Sequence, residues 1–220
     1  MQRALVIGAS GGIGTAIVNQ LATRGVDVTG LSRKRDGLDV TDMTSVDRLL
    51  VAQTGPFDLI FVATGILAPN GDSPEKSLDQ IDGARMAEIM AVNCIGPALI
   101  LRHVPRLLPR KERAVVAVLS ARVGSIGDNR LGGWYAYRAS KAAANQILRT
   151  AAIEIGRSHR DAAVVALHPG TVETRFTRNY PADSKVKPEA AAENLLRVID
   201  DIGPAQSGRF FDWAGKEVPW

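Results

Sequence analysis

The chain opens with an apolar run, Ala4-Leu5-Val6-Ile7, that stops at a cluster of glycines, Gly8-Ala9-Ser10-Gly11-Gly12-Ile13-Gly14. Thr15 to Arg24 then reads as a helix, with Ile17, Val18 and Leu21 on one face. Strand, glycine turn and helix in this order form the first βα unit of a parallel sheet, and the context a dinucleotide fingerprint needs. Glycines let the backbone turn sharply and approach a pyrophosphate. The free N–H groups and positive end of the helix then meet the anion. Gly8, Ser10, Gly12, Ile13 and Gly14 are therefore candidate cofactor contacts. The spacing differs from G-x-G-x-x-G, and the alternative is a turn with a purely structural purpose.

Downstream, strand and helix patterns alternate. Val26 to Leu31, Leu38 to Val40, Phe57 to Ala63, Ala114 to Ser120, Ala162 to Leu167 and Arg209 to Asp212 read as further strands. Asp42 to Ala52, Ile81 to Leu108 and the segment opened by Pro188 read as helices, as does Ala142 to Ile155. Only about six residues part the second and third strands, too few for a crossover helix. The fold class is α/β: a single doubly wound Rossmann-type domain over 1–220, with a mostly parallel sheet of about seven strands.

Composition narrows the function. No continuous apolar run approaches the roughly 18 residues of a membrane span. The N-terminus runs straight into a strand, with no signal or transit pattern, so a cytoplasmic setting is expected. Cys94, the single cysteine, allows no internal disulfide. The net charge of +4 is spread along the chain without a dense basic run, which argues against nucleic acid. His103, His159 and His168 show no metal-ligand spacing with one another or with Cys94, so no metal is expected.

Tyr137 and Lys141 stand four apart in Tyr-Arg-Ala-Ser-Lys, which puts the phenol and ammonium on one helix face. A close cation favours phenolate. Bringing a phenol from about 10 to about 7 takes roughly 4 kcal/mol. The product would be a general acid/base for a substrate oxygen; the bland alternative is two surface residues.

Gly8-x-x-x-Gly12-Ile13-Gly14 followed about 125 residues later by Tyr137-x-x-x-Lys141 resembles the short-chain dehydrogenase/reductase family over nearly the whole chain. Asp39-Val40 is similar to the family's aspartate that contacts the adenine. Ala63-Thr64-Gly65 occupies the place of the family's Asn-Ala-Gly, with Ala63 where the Asn would be. Asn93 resembles the helix-borne Asn that holds a water beside the catalytic Lys. Pro169, Gly170, Val172 and Thr174 resemble the nicotinamide-side loop, and Phe176 to Lys187 the substrate lid. The Leu119-to-Ile126 stretch and the ending Asp212 to Trp220 resemble the C-factor and sniffer-like carbonyl reductase branch.

The resemblance implies hydride transfer between a nicotinamide and a carbonyl/alcohol pair, with Tyr137, Lys141 and Asn93 as the catalytic set. The family's serine, second in Ser-Ser-x-x-Gly, is here Ala121. Either Ser120 serves, or the site works without that hydroxyl. NAD sites place an acid at the end of the second strand, for the ribose 2′-hydroxyl. Here that tip reads Ser32-Arg33-Lys34-Arg35, which favours NADP(H). A homodimer or homotetramer is implied, packed through the helix after Tyr137 and the one bearing Asn93. The alternative function is a non-catalytic NADP-binding signalling protein of C-factor type.

Overall fold

The computed structural model describes residues 1–178 and 185–220. Six strands form one parallel sheet: β1 Arg3–Ile7, β2 Asp27–Leu31, β3 Leu59–Val62, β4 Ala114–Leu119, β5 Ala162–His168 and β6 Phe210–Asp212. Their order is β2-β1-β3-β4-β5-β6, so the winding reverses between β1 and β3. At such a reversal the connecting loops diverge and leave a crevice at the strands' C-terminal ends.

Helices cover both faces, and strand alternation decides which side chain meets which. On one side Leu5, Ile7, Ile60, Val62, Val116 and Val118 pack with residues of α3 (Met43–Val51), α5 (Gly96–Leu101) and α7 (Tyr135–Ser158). On the other, Ala4, Val6, Leu59, Phe61, Val115 and Ala117 pack with α1 (Gly12–Thr23) and α8 (Pro188–Asp201). The central strands are buried on both faces, hence their unbroken apolar runs. Pro188 stands in the first turn of α8, where its missing N–H costs nothing.

Three expectations are corrected. Leu38 to Val40 is not a strand. Leu38 and Val40 are buried in the core, but the segment's backbone N–H groups are spent locally, Leu38 N–H on Ser32 O and Asp39 N–H on Ser45 Oγ. The crossover expected to be without a helix holds a single turn, α2 (Arg33–Asp36), closed by Gly37 at φ 69°. The long helix expected from Ile81 to Leu108 runs on only over Gly83–Leu101, as α4 (Gly83–Met90), a π-turn (Ala91–Ile95) and α5, and a turn then leads into the separate α6 (Val104–Leu107). Pro97 brings no N–H to the carbonyl of Asn93, four residues back, and just before it Gly96 N–H reaches five residues back to Ala91 O.

The stretch Gly83–Leu101 is, among the described residues, long and apolar enough to cross a membrane, with a mean hydropathy of 1.4. The sequence showed no such run because Arg85 and Glu88 interrupt it. Here it packs one side against α7, with Ile89, Asn93, Cys94, Ile100 and Leu101 buried and Ile95 exposed.

Candidate active site

The crevice at the strand ends is a cavity of about 400 Å³. Gly11, Gly12 and Ile13 of the first βα turn line it, as do Ala63, Thr64 and Gly65 after β3. Ser120 and Ala121 after β4, Tyr137 and Lys141 of α7, and His168 to Val172 and Thr174 after β5 complete its wall.

The glycine turn is built by close approach. Gly8 has φ +87°, and a side chain there would press on the Ala63 carbonyl, at 2.9 Å. A Cβ on Gly14 would run into the Gly8 carbonyl, and one on Gly12 would lie 2.5 Å from Thr174 Cγ2. No side chain caps the N-terminus of α1. The N–H groups of Gly12, Ile13 and Gly14 have no carbonyl four residues back within the helix to receive them. That cradle fits a dinucleotide pyrophosphate. Ser10 is exposed in the turn and does not line the cavity.

The tip of β2 is arranged around Asp36. Its Oδ2 accepts from Ser32 N–H at 2.7 Å and from Ser32 Oγ at 3.3 Å, while Ser32 Oγ accepts from Arg35 N–H. The one carboxylate in reach is therefore used within α2. Arg33, Lys34 and Arg35 are exposed and make no ion pair among the described residues. Asp39 accepts from Thr41 Oγ1 and N–H, and these bonds hold its pKa below the ordinary value. Val40 is buried against Gly96, where a Cβ would lie 2.9 Å from Val40 Cγ2.

Tyr137 and Lys141 are almost wholly buried, at 5% and 4% exposure. The Lys141 ammonium lies 5.9 Å from the Tyr137 ring centre and donates to Leu119 O at 2.9 Å. Burial dominates both groups. It pushes the phenol above its ordinary value and brings Lys141 down from 10.5 to about 8. The expected lowering of the phenol by its neighbour is thus outweighed, because the pair shares the same dry setting. A protonated phenol is the form that can give a proton.

Asn93, 1% exposed, is placed by the π-turn. Its Oδ1 accepts from Ile66 N–H, and its Nδ2 donates to Ile66 O and to Ser140 Oγ, at 2.8–3.0 Å. Ser140 Oγ donates in turn to Tyr137 O. Asn93 therefore ties the 63–66 loop to the Tyr137–Lys141 turn.

The Ser120 hydroxyl donates to Asn145 Oδ1 at 2.7 Å, a buried bond on the next turn of α7 after Lys141. Ser120 itself lines the cavity beside Ala121, while Asn145 Nδ2 is buried without a partner. Cys94 is buried, and burial raises its thiol pKa, as for a packing residue. Among the described residues no cluster of His, Cys, Asp or Glu could hold a metal.

Three further residues shape the site. Trp134 and Phe176 meet the Tyr137 ring edge-on at 6.1 and 5.9 Å. Tyr135, the other aromatic before Tyr137, does not line the cavity. Glu75, 8% exposed, holds the start of α7: its carbonyl accepts from Trp134 N–H and its carboxylate from Ala136 N–H. No sequence pattern flagged Glu75. Of the expected lid, Phe176 lies against Tyr137, while residues 179–184 fall outside the described residues.

Fold and site together define a Rossmann-type oxidoreductase domain with a Tyr–Lys centre. The family model for enoyl-(acyl carrier protein) reductase matches residues 8–205, and the chain belongs to the short-chain dehydrogenase/reductase family. It is 33% identical to 1-hydroxy-2-glutathionyl-2-methyl-3-butene dehydrogenase of Rhodococcus sp. (strain AD45), over all of both chains. It is 36% identical to the C-signal protein of Myxococcus xanthus, over 76% of this chain and 95% of that one. Its fold matches NADPH-bound carbonyl reductase from chicken fatty liver with a TM-score of 0.84 at 23% identity, covering 100% of this chain and 94% of that one.

Proposed function

We propose that the protein is an NADP(H)-dependent reductase of aldehydes or ketones, with Tyr137 as general acid. One observation carries this: the buried phenol and ammonium open onto the same cavity as the glycine cradle at the N-terminus of α1. Gly12, Ile13 and Gly14 would hold the pyrophosphate, Ser32 and Arg33 the 2′-phosphate, and Asp39 and Val40 the adenine side. Ala63, Thr64, Gly65, Pro169, Gly170, Val172 and Thr174 would surround the nicotinamide half. When bound, that cofactor supplies hydride. Tyr137 gives its proton to the substrate oxygen. Lys141 stabilises the phenolate left behind, and Asn93 holds the loop and the α7 turn in register around both. The exposed cations of α2 and the NADPH of the chicken enzyme support the cofactor choice. Buried Cys94 fits a reducing, cytosolic setting.

The test is NADPH oxidation over a panel of aldehydes, ketones and quinones. Tyr137→Phe should lose on the order of 10²–10⁴ in turnover, the range of a lost general acid, and keep NADPH binding. A Tyr137→Phe protein with wild-type turnover refutes the assignment. A second reading, a non-catalytic NADP-binding signalling protein, draws on Ala121 and the C-signal relative. Saturable NADPH binding with no turnover over the whole panel would establish it instead.

A further inference from the structure

The absence of the serine at Ala121 removes a hydrogen-bond donor from the place where charge develops on the substrate oxygen. The structure shows what stands beside that place. β4 and β5 run in parallel register, Leu119 opposite Leu167, and Ser120 N–H continues the ladder to Leu167 O at 2.8 Å. The next residue of β5, His168, therefore ends its strand beside the turn that carries Ser120 and Ala121. His168 is one of the residues that line the same cavity as Tyr137, Lys141 and Ala121.

Two polar side chains near it are engaged, while Asn145 Nδ2, one turn of α7 beyond Lys141, is buried without a partner. Ser120 is bonded to Asn145, and Arg122 Nε to Asp128 Oδ2 at 2.5 Å. The Thr64 hydroxyl, buried and unpaired, belongs to the end of β3, next to the Ala63 carbonyl that touches Gly8. His168 is different. Its Nδ1 is buried with no hydrogen-bond partner, and its Nε2 makes no hydrogen bond among the described residues yet is not a buried atom. The ring thus has one nitrogen closed inside the protein and one open.

We propose that His168 is a further catalytic residue, its Nε2–H donating to the substrate oxygen in the place left by Ala121. This assignment rests on the reductase reading above. An unpaired buried N–H costs more than an unpaired lone pair, so the proton belongs on the open Nε2 and the lone pair on the closed Nδ1. Burial, with Arg122 nearby, brings the imidazole down to about 4 against the opposing pull of Asp212, so the ring carries one proton at neutral pH. A neutral imidazole can polarise a carbonyl without becoming an acid in the reaction. His168 keeps its proton throughout; the proton that reaches the oxygen comes from Tyr137. The donor is aimed at charge that grows in the transition state, so its loss falls on kcat more than on KM.

The experiment uses the full chain with NADPH and 4-nitrobenzaldehyde. His168→Phe should lower kcat on the order of 10²-fold, the effect of removing one such donor, with NADPH affinity retained. His168→Gln, which keeps an N–H, should fall between. Adding Ala121→Ser to His168→Phe should restore kcat, because a hydroxyl from the β4 side fills the same role. The assignment is overturned if His168→Phe keeps wild-type kcat, if it loses NADPH binding along with kcat, or if Ala121→Ser fails to rescue it. A wild type that turns over no carbonyl overturns the reductase reading and this assignment together. Turnover unaffected by His168→Phe overturns this assignment alone.

Discussion

Lys141 is the residue whose burial has the plainest consequence outside catalysis. Its pKa falls from 10.5 to about 8, so between those values the unfolded chain binds a proton that the folded chain does not. Stability must then rise as pH climbs from 8 towards 10.5, by roughly 3 kcal/mol for that group alone. Tyr137 opposes it. Its phenol is raised above 10.0, so above that pH the unfolded chain ionises first and stability falls. Urea unfolding should show the gain between about pH 8 and 10 in the wild type and not in Lys141→Met. Parallel pH curves for the two proteins would contradict the burial argument. Arg33 makes the second prediction at this scale. A guanidinium–phosphate bond is charge-assisted, so Arg33→Ala should weaken NADPH by about 1.5–3 kcal/mol and leave NADH nearly unchanged. Calorimetric titration of both cofactors checks it, and wild-type affinity equal for the two would end the NADP(H) preference.

At the scale of elements, α7 carries the chemistry, and what fixes its first turn decides where Tyr137 points. Trp134 sits at φ 56° after Gly132 and Gly133, both at positive φ, and it supplies no capping side chain. Glu75 does that work from 61 residues away, accepting from Ala136 N–H with a carboxylate at the positive end of the helix. Glu75→Ala should cost on the order of 1–2 kcal/mol and lower kcat more than a remote substitution of equal cost, because the phenol loses its fixed position. Denaturant midpoint and kcat measured on the same sample test this; a stability loss with unchanged kcat would separate the cap from the site. The contrast with the strands is physical. Val115-Val116-Ala117-Val118 is legible because burial on both faces demands an unbroken apolar run. The Gly8 and Gly14 turn is legible because no side chain fits there. Tyr137 and Lys141 are legible through their spacing along one helix, Asn93 only through the resemblance to the family. Glu75 and the Ser120–Asn145 bond join segments far apart in sequence, and no local pattern encodes them. The Leu38 to Val40 segment has the composition of a strand but spends its hydrogen bonds within its own connection. Pro97 was visible as a residue; the π-turn before it was not, because it follows from which N–H groups remain.

The whole molecule still exposes apolar surface that its own fold does not cover. The chain exposes 11000 Å²; a compact monomer of its mass, 23.5 kDa, exposes about 9,800 Å². Exposed apolar side chains stand on the two helices that flank the site. Ile95 is 49% exposed at the end of the π-turn and Ile153 53% exposed on α7, with Ala142, Ala143, Ile147 and Ala151 only half-buried between them and the core. The exposed side of α7 is not wholly apolar, since Gln146, Thr150, Glu154 and Arg157 are also exposed on it. A mixed surface of small, apolar and charged residues is nevertheless what a soluble self-complementary interface uses, with an apolar centre and a polar rim. We therefore expect association about a two-fold axis through α5 and α7, burying about 800 Å² per partner or more. Placing a charge at the centre should break it. Sedimentation velocity should give a species heavier than 23.5 kDa for the wild type and a lighter one for Ile153→Glu with NADPH binding retained. A wild type that sediments only at 23.5 kDa at micromolar concentration refutes the interface, and the exposed isoleucines then face solvent in the working enzyme.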